Sequence, residues 1–347
     1  MKRIHKLTLL LAAVSSMPAW ATNGVSFDHK DWEVTCDNTL TCRAAGYSTE
    51  EQPSGSILFT RKAGPNTPIS GEVILAEVES ADKTPKKLTM WIDDKFEGEA
   101  KAGKNDIWHL SAVQNQKLIR ALKGAGKVEF RGAPDPFILS GDGAYAVMLK
   151  MDDVQGRIGT PDAMVKKGDK PEDSVLAAIP APVIQAAQTE TGKERPLTAP
   201  ELAALKPKLV STLTPDDGCD RLQPSPDDTA ESDEGITLTP LDKTHALLST
   251  LCWRAAYNEG YGYWVIDNAL KEKPVMVTDS GTSYDAGVIS LSQKGRGPAD
   301  CMSMASWVWD GQAFRQSKVA DTGMCRYIRL GGTWDLPTFI ADVKPAR

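Results

Sequence analysis

The sequence predicts an α+β protein in unequal parts. An N-terminal domain of strands then helices covers 22–178, a Pro-rich linker with a short helix covers 179–214, and a mainly antiparallel β domain, a sandwich or small barrel, covers 215–347. Three observations carry this. Alternating apolar residues come first and helical spacing follows them; between Ile179 and Leu213 the composition turns to Pro, Ala, Thr and Gln without an aromatic residue; beyond 215 short strand-like runs return with little helical periodicity. A length of 347 residues fits about two domains, and 41% apolar with 25% charged residues argues against wholesale disorder or a fibrous rod.

Taken in order, Met1 to Lys6 is a basic head, Leu7 to Ala13 an apolar stretch and Ala19-Trp20-Ala21 an A-x-A site, which together form a secretory signal peptide cleaved after Ala21. The apolar stretch is far shorter than the roughly 20 residues of a membrane helix, and no later run approaches that length. The protein is therefore expected in the periplasm, starting at Thr22, with no membrane span after cleavage. Ile57–Phe59, Glu72–Val78 and Lys87–Asp93 are strand candidates. Ser111 and Gln114 form a capping box ahead of Leu118, Ile119 and Leu122, with Gly124 as the stop. Ala144, Val147, Met148 and Met151 lie at helical spacing after Ser140, and Thr160-Pro161 predicts one more helical turn, closed by Gly168. Within the linker, Thr198 and Glu201 bracket Pro200 in a second capping box, predicting a helix to about Leu209.

An acidic stretch from Asp216 to Glu234 lacks the order of a calcium loop and reads as solvated. Strand candidates follow at Thr237–Leu241, Ala246–Trp253, Tyr261–Ile266, Val275–Val277 and Val288–Leu291, and Trp307-Val308-Trp309 before Asp310-Gly311 signals a hairpin.

Removal of Lys2, Arg3 and Lys6 with the leader moves the formal charge from -6 to -9, which argues against nucleic acid as a partner. The cysteines, Cys36, Cys42, Cys219, Cys252, Cys301 and Cys325, all lie in the exported part, where disulfides are expected. Pairing neighbours is one of the possible connectivities, and sequence alone does not choose among them. No pair has C-x2-C spacing and the mature chain holds only His29, His109 and His245, so no metal site is expected, and no motif calls for a cofactor.

The sharpest catalytic pattern is Asp279-Ser280-Gly281-Thr282 after an apolar strand, the form of an aspartic protease loop. That chemistry needs two adjacent carboxylates, one protonated and one ionised, and the second candidate, Asp321-Thr322-Gly323, follows too closely to carry a lobe of its own. Binding signals are stronger. Trp253, Tyr257, Asn258, Tyr261, Tyr263 and Trp264 fall within twelve residues, aromatic groups able to stack on sugars or anchor a protein, or simply to fill a sandwich core. Lys294-Gly295-Arg296-Gly297 has the form of an anion loop in which Arg296 clamps a carboxylate or phosphate, unless Arg296 instead pairs with Asp300. Gln155-Gly156-Arg157 poses the same alternative in the first part.

The run from Phe27 to Asn38 containing Trp32 and Cys36, with Cys42 following, resembles the opening of the secreted proteobacterial family known as domain of unknown function 1176. Gln155 to Thr160 with Ala163 and Gly168 resembles its middle motif, and Lys294 to Cys301 with Trp307 to Gly311, Phe314 and Cys325 its C-terminal signature. The family pattern has Leu-Gly where this chain has Pro298-Ala299, and Gly where it has Met302. The first half is also distantly similar to the invasion-associated locus B proteins. The resemblance implies an exported protein with Cys301 paired to Cys325, and it implies no reaction.

The expected function is thus a non-catalytic binding or inhibitor-type protein of the envelope, with a protein or an envelope glycan as ligand. The alternatives are an aspartic-type hydrolase using Asp279 and a structural envelope component.

Overall fold

The computed structural model describes residues 24–77, 85–190, 192–222 and 235–346. The signal segment and most of the acidic stretch lie outside the described residues.

Ten strands form the first sheet: β1 (Val25–His29), β2 (Trp32–Cys36), β3 (Cys42–Tyr47), β4 (Gly55–Arg61), β5 (Ile69–Leu75), β6 (Leu88–Ile92), β7 (Lys95–Ala102), β8 (Trp108–Leu110), β9 (Val128–Arg131) and β10 (Phe137–Leu139). They are antiparallel throughout, in the order β1-β2-β3-β4-β5-β8-β7-β6-β9-β10. The helix α1 (Ala112–Leu122) starts at the predicted capping box: the Ser111 hydroxyl accepts from the Gln114 N–H at 3.3 Å, and the Gln114 side chain accepts from the Ser111 N–H at 2.9 Å. The second helix, α2 (Ala144–Val154), starts at Gly143, whose φ of 96° suits glycine and whose α-carbon lies against the His29 carbonyl, leaving no room for a side chain.

Period-two alternation assigns the faces. Ile57, Phe59, Val73 and Ala44 point toward Leu118, Ile119, Val147 and Met148 of the helices, in a core that also holds Trp32 and Phe130. Their sequence neighbours Leu58, Ile74 and Ala45, with Tyr47, face the other way and pack on Ile328, Trp334 and Leu336 from the end of the chain. The sheet is therefore buried on both faces at β3, β4 and β5, and the second cover there comes from residues nearly 300 positions away.

The Pro-rich segment contributes β11 (Val183–Gln185), β12 (Arg195–Pro196) and α3 (Ala199–Val210). The Thr198 capping box predicted for α3 is present, and Leu205 and Leu209 are fully buried. One five-stranded sheet joins β12 to β13 (Thr237–Pro240), β14 (His245–Arg254), β15 (Glu259–Asp267) and β16 (Val275–Gly281). Another contains β17 (Ser283–Asp285), β18 (Val288–Lys294), β19 (Met302–Trp309), β20 (Phe314–Asp321) and β21 (Leu336–Ile340). Leu247, Tyr263 and Val265 meet Ile289, Trp309 and Phe314 between these sheets, while Leu248, Trp264 and Ile266 pack on α3. A final strand, β22 (Asp342–Lys344), runs parallel to β11.

Three expectations need correction. The protein is strand-dominated, with three short α-helices among the described residues, and the helices do not simply follow the strands, because β9 and β10 lie between α1 and α2. No closed barrel forms, since each five-stranded sheet keeps two edges. No helix opens at Pro161; the segment is a series of turns closed by bonds such as Gly168 N–H to Thr160 O at 3.2 Å. The predicted hairpin is β19–β20, with Trp309 opposite Phe314. All six cysteines are bridged, as Cys36–Cys42, Cys219–Cys252 and Cys301–Cys325. No described helix is long and apolar enough to cross a membrane.

Candidate functional site

Three irregular segments converge on the Cys301–Cys325 bridge: the β14–β15 turn (255–258), the β18–β19 loop (295–301) and the stretch between β20 and β21 (322–335). Asn258 fastens the first to the second, its side chain donating to the Lys294 carbonyl at 2.9 Å and accepting from the Lys294 N–H at 2.8 Å. The Tyr257 ring lies over Gly297. Gly331 donates to the Ala299 carbonyl at 2.8 Å, which brings the third segment alongside.

Arg296 organises this crest from beneath. Its Nε and Nη2 donate to both oxygens of Asp300 at 2.8 and 2.6 Å, and its guanidinium stacks 3.9 Å from the centre of the Tyr327 ring. The Tyr327 N–H also donates to Asp300 Oδ2, at 2.6 Å. Burial draws the Asp300 carboxyl upward, but the Arg296 hydrogen bonds and the Tyr327 N–H outweigh it and hold the group below its ordinary pKa. Arg296 is thus a structural pin.

The two glycines of the motif have packing roles. A side chain on Gly295 would press within 2.7 Å of the Cys301 sulfur, and Gly297 makes room for Tyr257. The Gly295 N–H is held by the Cys301 carbonyl and the Lys294 N–H by Asn258, so Lys294 to Gly297 does not offer the converging free donors of an anion loop.

What the crest does expose is apolar and aromatic. Tyr257 is 61% exposed, Tyr327 53% and Leu330 74%. Tyr327 and Leu330 are absent from the sequence-predicted set; the only hint was their nearness to Cys325.

The other predicted residues go elsewhere. Trp264 is fully buried under α3, its indole N–H on Thr212 Oγ1 at 2.8 Å, and Tyr263 lies between the sheets. Half-buried Trp253 covers Gly260. Tyr261 lines a separate cavity of about 410 Å³ with Glu194 and Glu259. Asp279 lies within edge strand β16, accepting from the Gly218 N–H at 2.7 Å and from the Ser280 hydroxyl at 2.6 Å, which ties the segment carrying Cys219 to the sheet. Asp321 belongs to the other sheet and accepts from Ser303 at 2.6 Å. Among the described residues neither is hydrogen-bonded to a second carboxyl group. Arg157 is fully buried, donating to Gln155, the Lys62 and Gly64 carbonyls and Thr67, and burial followed by the nearby Arg61 charge lowers its pKa to about 10.

The family model described as protein of unknown function (DUF1176) matches residues 26–341. The chain belongs to that family. It is also similar to the uncharacterized protein YpfG of Escherichia coli K12, 24% identical over 323 residues, covering 85% of this chain and 87% of that protein. No solved structure matches. The motifs that carry the family resemblance have structural explanations here: Trp32 donates to the Ser140 carbonyl at 2.7 Å across the first core, Arg157 clamps the β4–β5 loop, and Lys294 to Cys301 builds the crest.

Proposed function

We propose that this is an exported, non-catalytic binding protein of the bacterial envelope that holds a protein partner on the crest of Tyr257, Tyr327 and Leu330. The supporting observation is that three large side chains stand exposed on loops fixed by a disulfide and an ion pair. Tyrosines held this way lose little conformational freedom on binding, and aromatic anchors of this kind carry most of the energy of many interfaces. A protein is favoured over a glycan because the polar groups that would read sugar hydroxyls, the Asn258 amide and the Arg296 guanidinium, are already occupied. The three disulfides, which form and persist in oxidising compartments, support a periplasmic location.

The test is the affinity of the purified partner, isolated by stoichiometric capture on wild-type protein, for Tyr257→Ala/Tyr327→Ala. A loss of about tenfold or more is expected, since each hot-spot truncation costs about 1 kcal/mol or more. Unchanged affinity would refute the crest as the contact. Export is checked separately by the mass of the periplasmic protein, expected to begin at Thr22.

A further inference from the structure

A cavity lies beside α1, on the face of the first sheet that the helices cover, whereas Ile328, Trp334 and Leu336 pack on the other face. One stripe of α1, from Ala112 through Asn115 to Ile119, with Lys123 at its C-cap, forms a wall of this cavity of about 570 Å³, and the β4–β5 loop and the turns at 162–167 form the others. Its size is that of an ordinary small-ligand pocket.

The wall facing α1 is built on two buried arginines. Arg61 Nε donates to the Thr67 carbonyl at 3.0 Å and Nη1 to the Asp162 carbonyl at 2.9 Å, and its remaining nitrogen pairs with the Asp162 carboxylate. Arg157 holds the same loop through the Gly64 carbonyl at 2.7 Å and Thr67 Oγ1 at 2.6 Å. Together they fix the loop in place before any ligand arrives. The Arg61 and Asp162 charges cancel.

Arg120, Lys123 and Lys167 remain. Lys167 makes one bond, to the Pro161 carbonyl at 2.7 Å, and none of the three has an acidic partner among the described residues. Elsewhere in this acidic chain, Arg43, Arg131, Arg195, Arg254, Arg296 and Arg315 are each paired with a carboxylate. Three uncompensated cations around one concavity make a local positive field on a chain of net charge -6. Ile119 and Met164 supply apolar wall between them.

We propose that this cavity binds a small organic oxyanion, a carboxylate or phosphate with an apolar body, whose charged end lies among Arg120, Lys123 and Lys167. The site is separate from the crest and stands or falls independently of it.

The test is calorimetric titration of the mature protein with octyl phosphate and with octanoate, and with inorganic phosphate to isolate the contribution of the apolar body. Saturable 1:1 binding of at least one octyl probe is expected, tighter than inorganic phosphate and weakened about tenfold in Arg120→Ala/Lys123→Ala through loss of charge-assisted bonds. The tighter octyl probe identifies the head group. Lys167→Glu, an exposed charge reversal, should weaken binding as well, while Tyr257→Ala/Tyr327→Ala should leave it unchanged. Absence of saturable binding by either octyl probe, or equal affinity in the cavity variants, would overturn the proposal.

Discussion

The crest and the α1 cavity use cationic side chains in opposite ways. At the crest Arg296 is locked onto Asp300 and Tyr327, so the charge is internal and the surface presented outward is aromatic. At the cavity the buried Arg61 and Arg157 are locked in the same manner, but Arg120, Lys123 and Lys167 project without acidic partners among the described residues. An arginine in a suggestive motif is therefore no guide to ligand contact until its hydrogen bonds are accounted for. Here the motif arginines, Arg157 and Arg296, are scaffold, and the free cations lie outside any motif.

The largest effect is expected where the scaffold is most buried. Arg157→Ala removes four hydrogen bonds, empties the space of a fully buried side chain and leaves the buried Gln155 Oε1 without its donor, so urea denaturation should show a loss of about 4 kcal/mol. Removal of the crest bridge should come next. By the chain-entropy model, Cys301→Ala/Cys325→Ala, with a sequence separation of 24, should cost about 3 kcal/mol and Cys36→Ala/Cys42→Ala, with a separation of 6, about 2 kcal/mol. Reversing that order would show that the crest does not depend on its bridge.

Asp300→Asn tests the crest pin itself and should cost about 2 kcal/mol at pH 7, because Arg296 loses its charged partner. The sign of its pH dependence is fixed by the depressed pKa. Asp300 contributes stability that is present above its ordinary 3.8 and is lost as pH falls through the lower folded-state value, so the variant should lose that part of the acid-side decline. Glu33 behaves oppositely. It accepts from Tyr47 and from the Met324 N–H, and burial raises its pKa, so its contribution is present at acid pH and lost as pH rises. Denaturation midpoints followed from pH 7 down to about pH 2 would separate the two.

A smaller effect concerns Ala299, which sits at φ 59°, a left-handed conformation that favours glycine. Ala299→Gly should stabilise the crest loop by about 0.5–1 kcal/mol, read as a raised denaturation midpoint. The smallest effect should be Arg120→Ala/Lys123→Ala, exposed and without acidic partners, within about 0.5 kcal/mol of wild type. A large loss there would mean that these cations are structural too.

Much of the fold was legible because its cues are local. Both capping boxes marked α1 and α3, the Trp-Val-Trp before Asp-Gly marked the β19–β20 hairpin, and an even cysteine count behind a signal-like leader predicted disulfides without fixing their connectivity. What failed depended on tertiary context. Asp279 looked like a turn residue because Asp, Ser and Gly favour turns, but β16 continues through it as an edge strand whose Asp279 carboxylate holds the Gly218 N–H. Trp264 and Tyr257 belong to one aromatic run, yet the alternation of β15 buries one while the preceding turn exposes the other. Tyr327, Leu330 and Lys167 lie on turns and loops and carry no periodicity. Arg120 and Lys167 are brought to one cavity only by the packing of α1 against the turns at 162–167.

The central claim, that the crest is a contact surface for a protein, is tested most directly by photo-crosslinking in cells with benzoylphenylalanine at position 257, at 327 or, as control, at Val113. Val113 lies on α1 and is as exposed as Tyr257, both at 61%. The account predicts one discrete higher-mass adduct from 257 and 327 and none from 113. No adduct from either crest position, or the same adduct from all three, would contradict it.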